Sequence, residues 1–83
     1  MNIMLISLDL HGYDLAESLI LVDRFLAEAL HKDEKQVMII HGNGKGILKK
    51  GIREYLSECS LVLSYRKGNY GEGEDGVTVV ELR

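Results

Sequence analysis

No tryptophan, no proline, one phenylalanine and one cysteine occur among the 83 residues. Without large rings to fill it, the core has to be aliphatic. A lone Cys59 excludes an intrachain disulfide and makes a reducing cytoplasm the expected compartment. Long apolar runs are missing too. The opening Met-Asn-Ile-Met-Leu-Ile lacks a basic flank and is far too short for a signal peptide or a membrane span, so no membrane partner is expected. Neither a low-complexity tract nor an internal repeat is present. What is there, 46% hydrophobic and 28% charged residues, is the balance of one globular domain covering residues 1–83.

The net charge of -3 argues mildly against nucleic acid until its distribution is considered. Residues 45–67 hold Lys45, Lys49, Lys50, Arg53, Arg66 and Lys67 against Glu54 and Glu58, a local +4 that leaves -7 for the remainder. A basic patch on an acidic body suits a domain with one phosphate-facing surface.

Residues 3–10 alternate as a strand, with Met4, Ile6, Leu8 and Leu10 on one face and Ile3, Leu5, Ser7 and Asp9 on the other. One more extended residue would put His11 beside Asp9, and Gly12 then lets the chain turn. Asp14 with Glu17 reads as a capping box. Leu15, Leu19, Val22, Leu26 and Leu30 continue from it at helical spacing, and the helix ends near His31-Lys32, cations that suit a helix C-terminus. A second strand follows at Gln36–His41. Strand, helix and strand with short links make a parallel crossover, which brings the Asp9-His11 end and the His41 end to the same carboxyl edge of the sheet.

The turn His41-Gly42-Asn43-Gly44-Lys45-Gly46 joins that strand to a second helix, about Ile47 to Glu58. Its glycines let backbone N–H groups approach a ligand, and a helix start behind them favours an anion. Leu48, Ile52, Tyr55, Leu56 and Cys59 form the buried stripe of this helix. Lys45, Lys49 and Arg53 recur at spacing four on another, with Lys50 beside them. Cations in a first helical turn oppose the macrodipole, so phosphate contact explains them better than helix stability does. Gly51 inside the helix implies close packing there. A third strand at 61–66, a glycine-rich loop at 67–76 carrying Tyr70, and a last strand at 77–82 complete the chain.

LDLHG at 8–12, IIHGNGKGIL at 39–48 and GEGEDGVTVVEL at 71–82, in this order, resemble an Smr (small MutS-related) domain over nearly the whole chain. The likeness is nearest to the domain at the C-terminus of bacterial MutS-type paralogues acting outside mismatch repair. It implies an α/β two-layer fold, βαβαββ, with a four-stranded mixed sheet and two helices on one face, similar to the C-terminal domain of translation initiation factor three. The last strand is expected to run antiparallel to the others. It further implies DNA or structured RNA as partner, possible docking on the ribosome, and nicking or RNA-cleaving endonuclease activity. The remainder of a MutS-type chain is another implied partner. Asp9 and His11 match the LDxH motif, and His41, Gly42 and Gly44 match HGxG. Two positions depart from the family pattern: arginine is frequent where His11 stands, and threonine where Lys45 stands.

On this reading His11 and His41 divide the general-base and general-acid roles, with Asp9 orienting an imidazole. Gly42, Asn43, Gly44, Lys45 and Gly46 hold the phosphate, and Lys49, Lys50, Arg53, Arg66 and Lys67 the backbone. RNA supplies its own 2′-hydroxyl nucleophile. DNA needs water, which a divalent metal (Mg or Mn) would assist, although the spacing of Asp9, His11 and His41 matches no recognised metal signature. Two alternatives stay open: a non-catalytic DNA-, RNA- or ribosome-binding module, and a mononucleotide site of a transferase, for which GxGxG lacks the full fingerprint. A P-loop is excluded, because Lys45 is followed by Gly46.

Overall fold

The computed structural model describes residues 5–83. In chain order they form β1 (Ile6–Asp9), α1 (Leu15–His31), β2 (Gln36–Ile40), α2 (Ile47–Glu58), β3 (Val62–Lys67), a 3-10 turn (Glu74–Gly76) and β4 (Val77–Leu82). The sheet order is β1-β2-β4-β3. β1 and β2 are parallel, while β4 runs antiparallel to both β2 and β3. This is the expected βαβαββ arrangement.

Both helices cover one face. Val37 and Ile39 of β2, Val80 and Leu82 of β4 and Leu10 after β1 meet Val22 and Leu26 of α1 and Ile52 and Leu56 of α2, all buried. The register follows from this alternation: Ile6 and Leu8 lie beside Val37 and Ile39, so their side chains share the helix side of the pleat. Of the face expected at the first strand, Leu10 is buried and Leu8 packs on the core, whereas Ile6 is 38% exposed on an edge strand. Ile3 and Met4 lie outside the described residues.

The capping box at α1 is complete: the Asp14 carboxylate accepts from the Glu17 N–H at 2.8 Å, and the Glu17 carboxylate from the Asp14 N–H at 3.0 Å. At α2, a Cβ on Gly51 would stand 2.5 Å from Leu15 Cδ1, the close packing expected of a glycine inside a helix. Tyr55 of α2 donates to the Asp23 carboxylate of α1, tying the two helices on their outer side.

One expectation needs correction. The extended backbone does not reach His11, because residues 11 and 12 already turn. Leu10 N–H makes the last ladder bond, to Ile40 O at 2.9 Å. Asp9 then accepts the His11 N–H on its own carboxylate at 2.9 Å, and Gly12 takes φ 85°. A short polar side chain bonding the backbone two residues on competes with strand continuation, and here it prevails.

Candidate functional site

Parallel pairing of β1 with β2 places Asp9, His11 and His41 at one edge, where with Ile40 and Gly42 they line a cleft of about 240 Å3. Asp9 spends one carboxylate oxygen on the His11 backbone and so fixes the loop that carries the imidazole. The His11 side chain is exposed.

His41 is held differently. Its side chain is 9% exposed, and both ring nitrogens are engaged. Nδ1 lies 2.9 Å from the Gly42 carbonyl oxygen, which can only accept, so Nδ1 carries the proton. Nε2 is therefore the acceptor, taking the hydroxyl proton of Thr78 at 2.8 Å. Thr78 Oγ1 in turn accepts from Arg53 Nε at 3.1 Å. The chain of donors runs from Arg53 through Thr78 and His41 to the glycine loop. Burial lowers the His41 pKa below its ordinary 6.5, and the nearby Arg53 and Lys49 cations lower it further, against the Gly42 bond that raises it. On balance these surroundings favour the neutral ring.

A second cleft of about 240 Å3 shares His41 and Gly42 with the first and is otherwise lined by Gly44, Lys45, Gly46, Ile47, Leu48 and Lys49. Here α2 begins. Gly46 stands at its N-cap with φ 81°, no side chain caps the first turn, and no acidic residue occupies it. The first N–H groups of the helix therefore have no side-chain acceptor in their own turn, and the residues that carry them line the cleft. The loop is anchored from behind, where the His41 and Gly42 N–H groups both bond Gly76 O, at 3.1 and 2.9 Å.

The remaining basic residues are distributed unevenly. Lys49 is half-buried beside the second cleft, while Lys45 and Lys50 are exposed. Arg53 does not stand on an open stripe with them: its side chain is half-buried against Thr78, and its Nη2 is buried without a partner. Asn43 lies against Gly76. Arg66 pairs with Glu72 at 3.0 Å, and Lys67, opposite Thr78 in the ladder, is exposed at the same edge. Lys50, Arg53, Arg66 and Lys67 line neither cleft.

Thr78 is the residue that reading the sequence missed. Its signal was there: a polar side chain at a position whose neighbours two residues on, Val80 and Leu82, face the helices. A wider concavity of about 600 Å3, lined by Leu5, Asp33–Gln36, Leu63, Glu81 and Leu82, opens at the opposite edge. It contains neither histidine nor glycine loop, so volume is a poor guide here and chemistry the better one. Among the described residues no three His, Cys, Asp or Glu side chains gather as metal ligands would, and none of their helices is long and apolar enough to cross a membrane.

Comparison with known proteins agrees with the fold. The Smr domain family model matches residues 8–83. The chain is 49% identical over 76 residues to the endonuclease MutS2 of Acetivibrio thermocellus and 46% identical over 76 residues to that of Staphylococcus saprophyticus, each match covering 92% of this chain. It spans only 10% of the length of these relatives. Among solved structures, the Smr domain of Thermus thermophilus MutS2 superposes with a TM-score of 0.93 at 40% identity, covering 95% of this chain and 99% of that one. YdaL, a stand-alone small MutS-related protein from Escherichia coli, gives 0.87 at 29% identity, covering 93% and 63%. With most of its length matched by the family model, the chain belongs to the Smr domain family.

Proposed function

We propose that this domain binds nucleic acid along the carboxyl edge of its sheet and breaks a phosphodiester bond there. The observation that carries the reading is the uncapped head of α2, which opens with Lys45 and Lys49 into a cleft adjoining the one lined by Asp9, His11 and His41. Unpaired N–H donors, a positive helix end and two ammonium groups suit a phosphate. Lys50, Arg66 and Lys67 extend the cationic surface for the neighbouring backbone, while Arg53 is turned inward onto Thr78 and Asn43 stays with the loop. The relatives named endonuclease MutS2 support the same class of reaction.

His11 is the ring placed to move a proton, since it is exposed and has no ring hydrogen bond among the described residues. On RNA the 2′-hydroxyl gives its proton to His11 as its oxygen attacks phosphorus, and the 5′-oxygen leaves. For His41 to return a proton to that oxygen, its Nε2 has to release the Thr78 hydroxyl and first take up a proton from solvent, forming the imidazolium. On DNA the attacking oxygen is water's. The donor set does not fit a metal centre, because His41 has both nitrogens taken and no three candidate ligands gather among the described residues, so no step is routed through one. In the cell we place the domain in the cytoplasm, within a longer MutS-type chain, acting on DNA or structured RNA that includes ribosomal RNA.

A second reading, a domain that binds without cleaving, has its own support in the satisfied His41 ring. Incubating labelled RNA and DNA strands with the protein, with and without EDTA, separates the two. Cleavage is expected, and His11→Ala should lower it by about 10²–10⁴-fold at saturating protein while affinity is kept. Tight binding with intact strands would leave the domain a binder. Weaker binding with normal cleavage at saturation would make His11 a contact only.

A further inference from the structure

Tyr70 is 95% exposed, the most open of the large hydrophobic side chains in the described structure. It contributes nothing to the core, yet the backbone beneath it is closely built. The Glu72 N–H bonds Asn69 O at 2.9 Å, and Gly71 has φ 88°, the positive value that a type II turn requires at its third residue. Tyr70 is the second residue of this turn. The Glu72 carboxylate closes it again by accepting the Asn69 N–H at 2.7 Å, and Arg66 Nη1 holds the same oxygen at 3.0 Å. Gly68 N–H bonds both Glu74 O and Val77 O, while a Cβ on Gly73 would stand 2.4 Å from Val77 Cγ2. An exposed aromatic ring thus projects from a loop fixed at its base and at its tip.

The loop stands at the functional edge. Lys67 and Thr78, which flank it, are paired, and Gly76 accepts the N–H groups of His41 and Gly42. Its charge narrows what can lie against it. Arg66 neutralises Glu72, but Glu74 and Asp75 remain exposed and repel a phosphate backbone. The face of a nucleobase is uncharged and stacks on an aromatic ring without meeting that repulsion. In continuous duplex the base faces are covered by their neighbours.

We propose that Tyr70 is a stacking platform for an unpaired nucleobase, which makes single-stranded or locally melted nucleic acid the preferred substrate class. The inference rests on the nucleic-acid reading above. Phosphates are held at the α2 cleft, and the strand runs along the edge until one base lies on Tyr70.

The test uses labelled oligothymidylate, an abasic strand of the same length and a duplex, with the full chain and its Tyr70→Ala, Tyr70→Phe and Tyr70→Trp variants. Tyr70→Ala should weaken oligothymidylate binding by about 10- to 100-fold with its salt dependence unchanged, and Tyr70→Phe should restore it. Abasic strand and duplex should bind wild type and Tyr70→Ala alike. Because the chain has no tryptophan, Tyr70→Trp introduces the only one, and its emission should be quenched by oligothymidylate but not by the abasic strand. An unchanged oligothymidylate affinity for Tyr70→Ala, or an equal loss on duplex, overturns the stacking role. Failure of the wild type to bind any of the three probes is a different result, since it removes the nucleic-acid reading itself.

Discussion

At the scale of single residues, His41 is the side chain most constrained by its surroundings. Burial, the largest cause, and two neighbouring cations favour the neutral ring against the Gly42 bond that opposes them, and the pKa is lowered accordingly. The consequence for stability has a definite sign. An unfolded chain takes up the proton near the ordinary 6.5, while the folded chain resists until a lower pH. Below the unfolded value the unfolded state therefore binds more protons, and stability falls with falling pH until the folded value is passed. Stability contributed by the neutral ring is fully present above the unfolded pKa. Urea midpoints of wild type and His41→Gln should diverge least at low pH, with the wild type showing the steeper loss as the pH falls through and below the ordinary 6.5. Parallel profiles would mean that His41 keeps its proton equilibrium on folding. The gathering of Asp9, His11 and His41 at one edge was legible in the sequence, because parallel strands bring their carboxyl ends together. The partner of His41 was not. Thr78 lies 37 positions along the chain, and only the antiparallel pairing of β2 with β4, which sets Ile39 opposite Thr78, brings the hydroxyl to the imidazole.

At the scale of elements, the two helices start in opposite ways. α1 has a complete capping box, worth about 1 kcal/mol. α2 begins on a left-handed glycine with no cap and no carboxylate in its first turn. A chain selected only for stability would place an acid there, which the macrodipole rewards by about 0.3–1 kcal/mol. Ile47, 63% exposed at the first helical position, offers a site for the comparison without disturbing the core. Ile47→Glu should raise the melting temperature slightly while weakening oligonucleotide binding, because its carboxylate competes with phosphate for the same N–H groups. Higher stability with undiminished binding would place the anion elsewhere. These elements could be read from the sequence because each carries a local signal: Asp14 and Glu17 for α1, the glycine run before α2, the β-branched run Val77-Thr78-Val79-Val80 in β4. The end of β1 could not, because the Asp9 carboxylate decides it by capturing the His11 backbone. Nor could the inward turn of Arg53, which depends on a threonine from another strand.

At the scale of the molecule, charge is segregated: residues 45–67 sum to +4 within a chain of net charge -3. Folding does not require this. Lys49 lies in the first turn of α2, where the helix end is positive, and Lys45 precedes the same end, so both oppose the local field. Removing them should leave stability unchanged or slightly higher. For nucleic acid the expectation reverses, because each ammonium that neutralises a phosphate releases counterions. The logarithm of affinity then falls with the logarithm of salt by about 0.9 per contact on duplex and about 0.7 on a single strand. Lys45→Ala/Lys49→Ala should therefore weaken binding most at low salt and flatten the salt dependence by at most about two units of slope, equally for all sequences. Tyr70→Ala is expected to lower affinity at every salt concentration without altering the slope, so the two variants separate backbone contact from base stacking in one titration series. A double-lysine variant that binds weakly with the wild-type slope would show that these ammonium groups shape the loop and do not meet phosphate. The cationic contact would then lie with Lys50, Arg66 and Lys67, the exposed basic residues of the 45–67 segment outside both clefts.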